Sequence, residues 1–300
     1  MRLVLPLALT ALALSACGGT GSAAPAEGDE PVAVTVGLYP YAFVAERVGG
    51  DDVEVTNLTA PGVEPHDLEL SPQQVAGLSE TDLVLYAKGF QPAVDEAVEQ
   101  QAADRSLDVL STVKLRASEE AHEGEEHEGE EADPHVWLDP ARLATIADAV
   151  ADRLAEIAPD RAEGFEERAQ ALQQELTALD GELRQGLTGC ARRQIVTSHD
   201  AYGYLAETYG LEQVSLAGLS PDDEASPKRL AEVATYAKEQ GVTTIFFEEL
   251  VSPKVAQSLA REVGAKAVVL SPLEGAPSSG DYLTAMRANL AVLQEALGCP

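Results

Sequence analysis

The chain has five histidines, and their surroundings divide them into two groups. His66, His135 and His199 sit in apolar or turn-forming settings, whereas His122 and His127 lie inside an acidic run from Ser118 to Asp133. Directly after that run comes Asp133-Pro134-His135-Val136-Trp137-Leu138-Asp139-Pro140, and the combination points to a metal. His66 follows the turn Pro61-Gly62-Val63-Glu64-Pro65. His199 follows a strand-like stretch ending at Thr197, and Glu274 lies in Ser271-Pro272-Leu273-Glu274-Gly275 after another. Three residues with metal-ligand chemistry therefore stand just beyond expected strand carboxyl ends, where open α/β sheets bind ligands. His135, from a loop leading into helices, completes four.

Three imidazoles and one carboxylate suit Zn²⁺, which takes four N, O or S ligands, whereas Mn²⁺ favours more oxygen. Glu64 and Asp200 are alternative carboxylates. Glu274 ranks above them because it brings a ligand from a separate strand. His122, His127 and Glu64 are candidates for auxiliary metal contacts. Neutral imidazoles are required for binding, so affinity is expected to fall as pH drops through about 6.5.

The elements that must position these residues alternate between strand and helix from Pro31 onward. Val32 to Leu38, Val53 to Leu58, Leu83 to Ala87 and Leu107 to Leu110 read as strands. Tyr41 to Val48, Pro72 to Leu78 and Ala93 to Gln101 read as helices between them. The same alternation returns after Cys190, with strands expected at Arg193 to Thr197, Gln213 to Leu216, Thr243 to Phe247 and Ala267 to Leu270. This predicts an α/β fold of two βα lobes with mainly parallel sheets, covered on both faces. The expected boundaries are 31–139 for the N-terminal lobe, with the acidic His-containing loop at 118–133, then 140–187 for a helical connection and 188–300 for the C-terminal lobe.

In the connection, Asp139 can cap a helix whose first residue is Pro140, with Leu143, Ile146, Val150, Leu154 and Ile157 on one face. Pro159 interrupts it. A second helix, Asp160 to Leu187, carries Phe165, Ala169, Leu172, Leu176, Leu179, Leu183 and Leu187 on one face and would run about 40 Å. A long rigid helix between lobes restricts hinge motion, and the metal site is expected in the interlobe cleft.

Residues 1–16 comprise Arg2, an apolar stretch from Leu3 to Leu14, Ser15 and Ala16, which reads as a secretion signal. The stretch is shorter than the roughly 20 apolar residues of a membrane span. Leu14-Ser15-Ala16-Cys17 looks like a lipobox, so Cys17 is the expected lipidated residue and 17–30 a flexible tether. The protein is then expected to be exported and lipid-anchored at the outer face of the bacterial cytoplasmic membrane. Cys190 and Cys299 are the other two thiols, and an even pair in an exported protein predicts a disulfide. With 51 acidic against 20 basic residues the formal charge is −31, which argues against nucleic acid and makes cations the natural partners.

In combination, PGVEPHDLELSP around His66, DPHVWLDP around His135, TSHDAYGYL around His199, and SPLEG with DYLTAMRANL near the end resemble the metal-binding receptors of bacterial ABC importers. These form the cluster specific for zinc or manganese, and the similarity extends from about Pro31 to the C-terminus. The resemblance implies two βα lobes joined by a long helix, metal held between them, an ABC permease as partner with a cytoplasmic ATPase behind it, and a monomer without enzymatic activity. The manganese branch typically has a glutamate at the third ligand position. His199 there makes the chain most similar to the zinc-uptake branch. Three other readings are weighed against this: a manganese receptor, a secreted zinc hydrolase, and a surface lipoprotein that buffers zinc or adheres to a host. His122-Glu123 and His127 superficially resemble the zinc-protease signature HExxH, but the second histidine comes five residues after the first instead of four.

Overall fold

The computed structural model describes residues 30–116, 132–221 and 225–300. The signal segment, Cys17 and the histidines His122 and His127 lie outside the described residues. The first lobe contains β1 (Val32–Val36), α1 (Tyr39–Gly49), β2 (Val53–Asn57), α2 (Pro72–Gly77), β3 (Leu83–Tyr86), α3 (Pro92–Gln101) and β4 (Ser106–Asp108). Its strands are all parallel, in the order β2-β1-β3-β4.

Two helices follow, α4 (Pro140–Ile157) and α5 (Ala162–Gly186). The second lobe is built from β5 (Gln194–Thr197), α6 (Gly203–Tyr209), β6 (Glu212–Ser215), α7 (Pro227–Glu239), β7 (Thr244–Phe247), α8 (Lys254–Val263), β8 (Lys266–Val269) and α9 (Tyr282–Leu297). Its sheet is also all parallel, in the order β6-β5-β7-β8. The two sheets thus repeat one topology, with the first strand of each lobe second in spatial order and a switch in connection direction beside it.

Local chemistry sets the helix starts. The Asp139 side chain accepts from the Ala141 amide at 2.9 Å, and Pro140 occupies the first turn, where a missing amide hydrogen costs nothing. Ser71 and Gln74 form a reciprocal capping box on α2. Ser226 caps α7 and Asp281 caps α9. The expected second connecting helix begins at Ala162 and not at Asp160, because Pro159 opens a 3-10 turn over Pro159–Arg161 first. At 25 residues it is about 37 Å long. The strand expected over Leu107 to Leu110 also ends early, at Asp108, whose side chain accepts from the Leu110 amide and turns the chain into a 3-10 helix.

A single core runs through both lobes. The apolar face of α5 (Phe165, Ala169, Leu172, Leu176, Leu179, Leu183) is buried in one cluster with α1, α4, α9, the inner face of the first sheet, and Ile195 and Phe246 of the second. A coiled-coil partner is therefore not needed to cover this stripe, since α4 packs along it. Smaller clusters cover the outer faces, α2 and α3 over the first sheet and α7 and α8 over the second. Cys190 and Cys299 form a disulfide that closes the C-terminus onto the entry to the second lobe. Among the described residues no helix is long and apolar enough to cross a membrane.

Candidate metal centre

All four site residues lie in connections outside the strands and α-helices. His66 lies in the loop between β2 and α2, and His135 immediately precedes a 3-10 turn that leads into α4. His199 follows β5 by two residues, and Glu274 follows β8. Glu274 is set by an unusual backbone: buried Leu273 before it has φ of 58°, the one positive φ outside glycine among the described residues. Left-handed backbone at such a residue costs on the order of 1–2 kcal/mol and is held here by the loop's anchors. The Leu273 amide donates to Ser271 Oγ, and Trp137 Nε1 donates to the Pro272 carbonyl at 2.7 Å. The indole is two residues from His135 and the carbonyl two from Glu274, so one hydrogen bond ties two ligand positions from different lobes.

The structure brings together His66, His135, His199 and Glu274, one donor atom from each lying within 4.8 Å of all the others. The three Nε2 atoms stand 3.5, 3.5 and 3.4 Å from Glu274 Oε1. Those same four atoms are buried with no hydrogen-bond partner. A buried polar atom without a partner costs about 1–3 kcal/mol, and four aimed at one point need a common occupant. A tetrahedral ion with bonds of about 2.0–2.1 Å separates its ligand atoms by about 3.3–3.4 Å. The spacing from each nitrogen to the carboxylate oxygen matches that edge.

Carboxylates behind two of the rings fix their orientation. Asp133 Oδ1 lies 2.8 Å from His135 Nδ1 and accepts from the His135 amide, while Asp133 Oδ2 accepts from Arg116 Nη1. Glu248 Oε1 lies 2.6 Å from His199 Nδ1. An ionised carboxylate can only accept, so each Nδ1 carries its proton and each Nε2 is the atom left for a metal. Among the described residues His66 has no such partner; its ring lies against Phe90, with centroids 4.2 Å apart.

The charges follow from these contacts. Burial lowers His66 below the ordinary histidine value, against an opposing pull from Glu274. For His135 burial works in the same direction, but Asp133 and Glu274 outweigh it and the value is raised. For His199, burial is again overcome, chiefly by Glu248, and the value reaches about 10. Burial alone would raise Glu274, but the three histidines hold it well below the usual carboxylate range. The proton competition expected near pH 6.5 from sequence is thus moved upward.

Of the alternative carboxylates, Glu64 shapes the turn before His66, where its Oε2 accepts from the Asp67 amide. Asp200 is buried, with its amide bonded to the Gly218 carbonyl. Sequence reasoning missed Glu248 and passed over Asp133 as a working group. Asp133 was visible two residues before His135. Glu248 was marked only by its place at the carboxyl end of β7.

Two βα lobes on a shared helical core, with a closed donor set between them, form the architecture of a two-lobed solute-binding protein. The chain belongs to the family described as zinc-uptake complex component A, periplasmic (ZnuA), which residues 34–296 match. It is 34% identical to the zinc-binding lipoprotein AdcA of Streptococcus pneumoniae over 96% of this chain, and spans 59% of that relative's length. It is also 34% identical to the high-affinity zinc uptake system protein ZnuA of Bacillus subtilis, covering 95% of this chain and 94% of that one. Among solved structures, the laminin-binding protein of Streptococcus agalactiae, described as bifunctional with adhesin and metal-transporting activity, superposes with a TM-score of 0.80. Identity there is 31%, over 89% of this chain and 99% of that chain.

Proposed function

We propose that this protein is an extracytoplasmic receptor that captures Zn²⁺ and delivers it to an ABC permease driven by a cytoplasmic ATPase, and that His66, His135, His199 and Glu274 are its ligands. The observation that carries this reading is the convergence of four buried, unpartnered donor atoms within 4.8 Å of one another. Zinc uptake as the family's activity supports the cargo, and a donor set of three nitrogens and one oxygen favours Zn²⁺ over Mn²⁺. With Glu274 in place the four positions of a tetrahedral ion are filled by protein. A hydrolytic zinc centre needs one position open for water, so the protein is a carrier and not an enzyme. Cys17 as a lipid anchor, a monomeric state and the boundaries 31–139, 140–187 and 188–300 belong to the same proposal. So does auxiliary metal capture by His122, His127 and Glu64.

The test is metal content and competition binding on soluble protein starting at Gly18, with Zn²⁺ against Mn²⁺. One tightly held Zn²⁺ per chain is expected. No preference, or a preference for Mn²⁺, would overturn the assignment of cargo.

A further inference from the structure

The three imidazoles of the site are not held alike. His135 and His199 are each backed by a buried carboxylate, but among the described residues no protein group accepts from the ring of His66. Its placement depends on the backbone of the loop that carries it. That loop has no regular secondary structure between β2 and α2, so something else must fix it.

Gln91, at the N-cap of α3, is 3% exposed. Its side-chain amide donates from Nε2 to two acceptors at 3.1 Å, the Thr59 hydroxyl and the Pro65 carbonyl. Pro65 is the residue before His66, and Thr59 lies near the start of the same loop, so a single amide ties the start of the loop to the residue that precedes the ligand. Thr59 in turn donates to the Gly37 carbonyl at 2.7 Å. A Cβ on Gly37 would come within 2.6 Å of Gln91 Oε1, so the end of β1 is shaped around this amide. The neighbouring residue Phe90 supplies the ring against His66.

We infer that Gln91 is the positioning residue of His66: acting through the loop backbone, it does for this ligand what Asp133 and Glu248 do for the other two. It touches no ligand atom of the site. Loss of its bonds frees the Pro65 carbonyl and lets the imidazole swing from the ion while the other three ligands stay fixed. The consequence falls on how long the metal is held. This inference rests on the zinc-receptor reading and deepens it.

The experiment compares wild type with Gln91→Leu and Gly37→Ala, the second displacing the same amide from a different strand. Val98→Ala, buried on the far turns of α3, serves as a stability control. Zinc dissociation is followed by chelator chase, and Co²⁺-loaded protein by its visible absorption. Outer partners of metal ligands are worth about 10–100-fold, so both test variants are expected to release zinc at least about tenfold faster with altered cobalt bands. Val98→Ala should lower the melting temperature and leave both readouts at wild-type values. Gly37→Ala keeps the test available if Gln91→Leu does not fold. Release within twofold of wild type in the test variants, or equal acceleration by Val98→Ala, overturns the role of Gln91. Wild-type protein that takes up no zinc would instead overturn the function from which the inference starts.

Discussion

Raising the pH from 6.5 to 8.5 will tighten zinc binding at least about a hundredfold, across a range in which ordinary histidines have already lost their protons. The perturbation acts through His199. Glu248 beside Nδ1 and Glu274 facing Nε2 raise its value to about 10 in the metal-free protein, so Nε2 is protonated at pH 8 and zinc must expel that proton. One proton released per ion makes affinity rise about tenfold per pH unit, hence a hundredfold over two units. Raised His135 adds to this wherever its own value exceeds the ambient pH. Burial already lowers His66, which contributes little in this window.

The sign for stability is opposite in the metal-free protein. A histidine whose folded value is raised stabilises the fold fully below its unfolded value of about 6.5, and the contribution is lost as pH rises toward 10. The metal-free melting temperature should therefore fall over the range in which the zinc-induced shift grows. The assay is competition with a chelator of known protonation behaviour at each pH, with calorimetry in buffers of different ionisation enthalpy to count protons. Glu248→Gln removes the charge that raises His199 and should flatten the profile. An affinity constant to within threefold from pH 6.5 to 8.5, or no proton released at pH 8, would refute this account of the site's electrostatics.

Exchanging His199 for Glu moves the donor set to two nitrogens and two oxygens, and the Zn²⁺ to Mn²⁺ affinity ratio should fall at least about tenfold in competition binding. The double variant Cys190→Ser/Cys299→Ser opens a loop with a sequence separation of 109, which on chain-entropy grounds costs on the order of 4 kcal/mol. The melting temperature should drop by roughly 5–10 °C. Zinc affinity should stay at the wild-type value, because the bond lies at the amino end of β5 and the ligands at the carboxyl ends of the strands. Gly203→Ala places a Cβ 1.5 Å from Arg116 Nη1 and 2.8 Å from Asp133 Oδ2. It should displace Arg116 from Asp133 and weaken zinc binding, as read by chelator competition.

Periodic signals made much of this molecule legible in advance. The alternation of short apolar runs with helical stretches gives the strand and helix order of both lobes. The leucine stripe of α5 and the Asp139-Pro140 start of α4 appear where the pattern places them. Deviations came where a single side chain outweighs propensity, as when the Asp108 carboxylate ends β4 by capping the next turn. The four donors could be listed from residue type and position after strand ends. Their convergence could not, since it requires the relative placement of two sheets. Gln91 leaves no mark in a single sequence, and Glu248 leaves only its place after a strand. One is a glutamate among 51 acidic residues and the other a glutamine before a proline, and each acquires its role only through the fold.

The shared core limits how a receptor of the kind proposed could exchange its cargo. Proteins that close around ligands by hinge motion usually keep separate cores on either side of a mobile connection. Here α1, α4, α5 and α9 pack with the inner faces of both sheets in one cluster. Interiors packed in this way are not continuously deformable. Three polar bonds reinforce the connection: Trp137 Nε1 to the Pro272 carbonyl, Tyr204 OH to the Asp133 carbonyl, and Tyr282 OH to the Trp137 carbonyl. All three join the segment around His135 to second-lobe elements. His135, His199 and Glu274 are therefore held as one frame, independently of any ion. His66 comes from a loop outside that frame, clamped by one neutral amide where the others have carboxylates. The division is three donors tied together through the shared core and one held through its own loop, which differs from the two-and-two split that chain position alone implies.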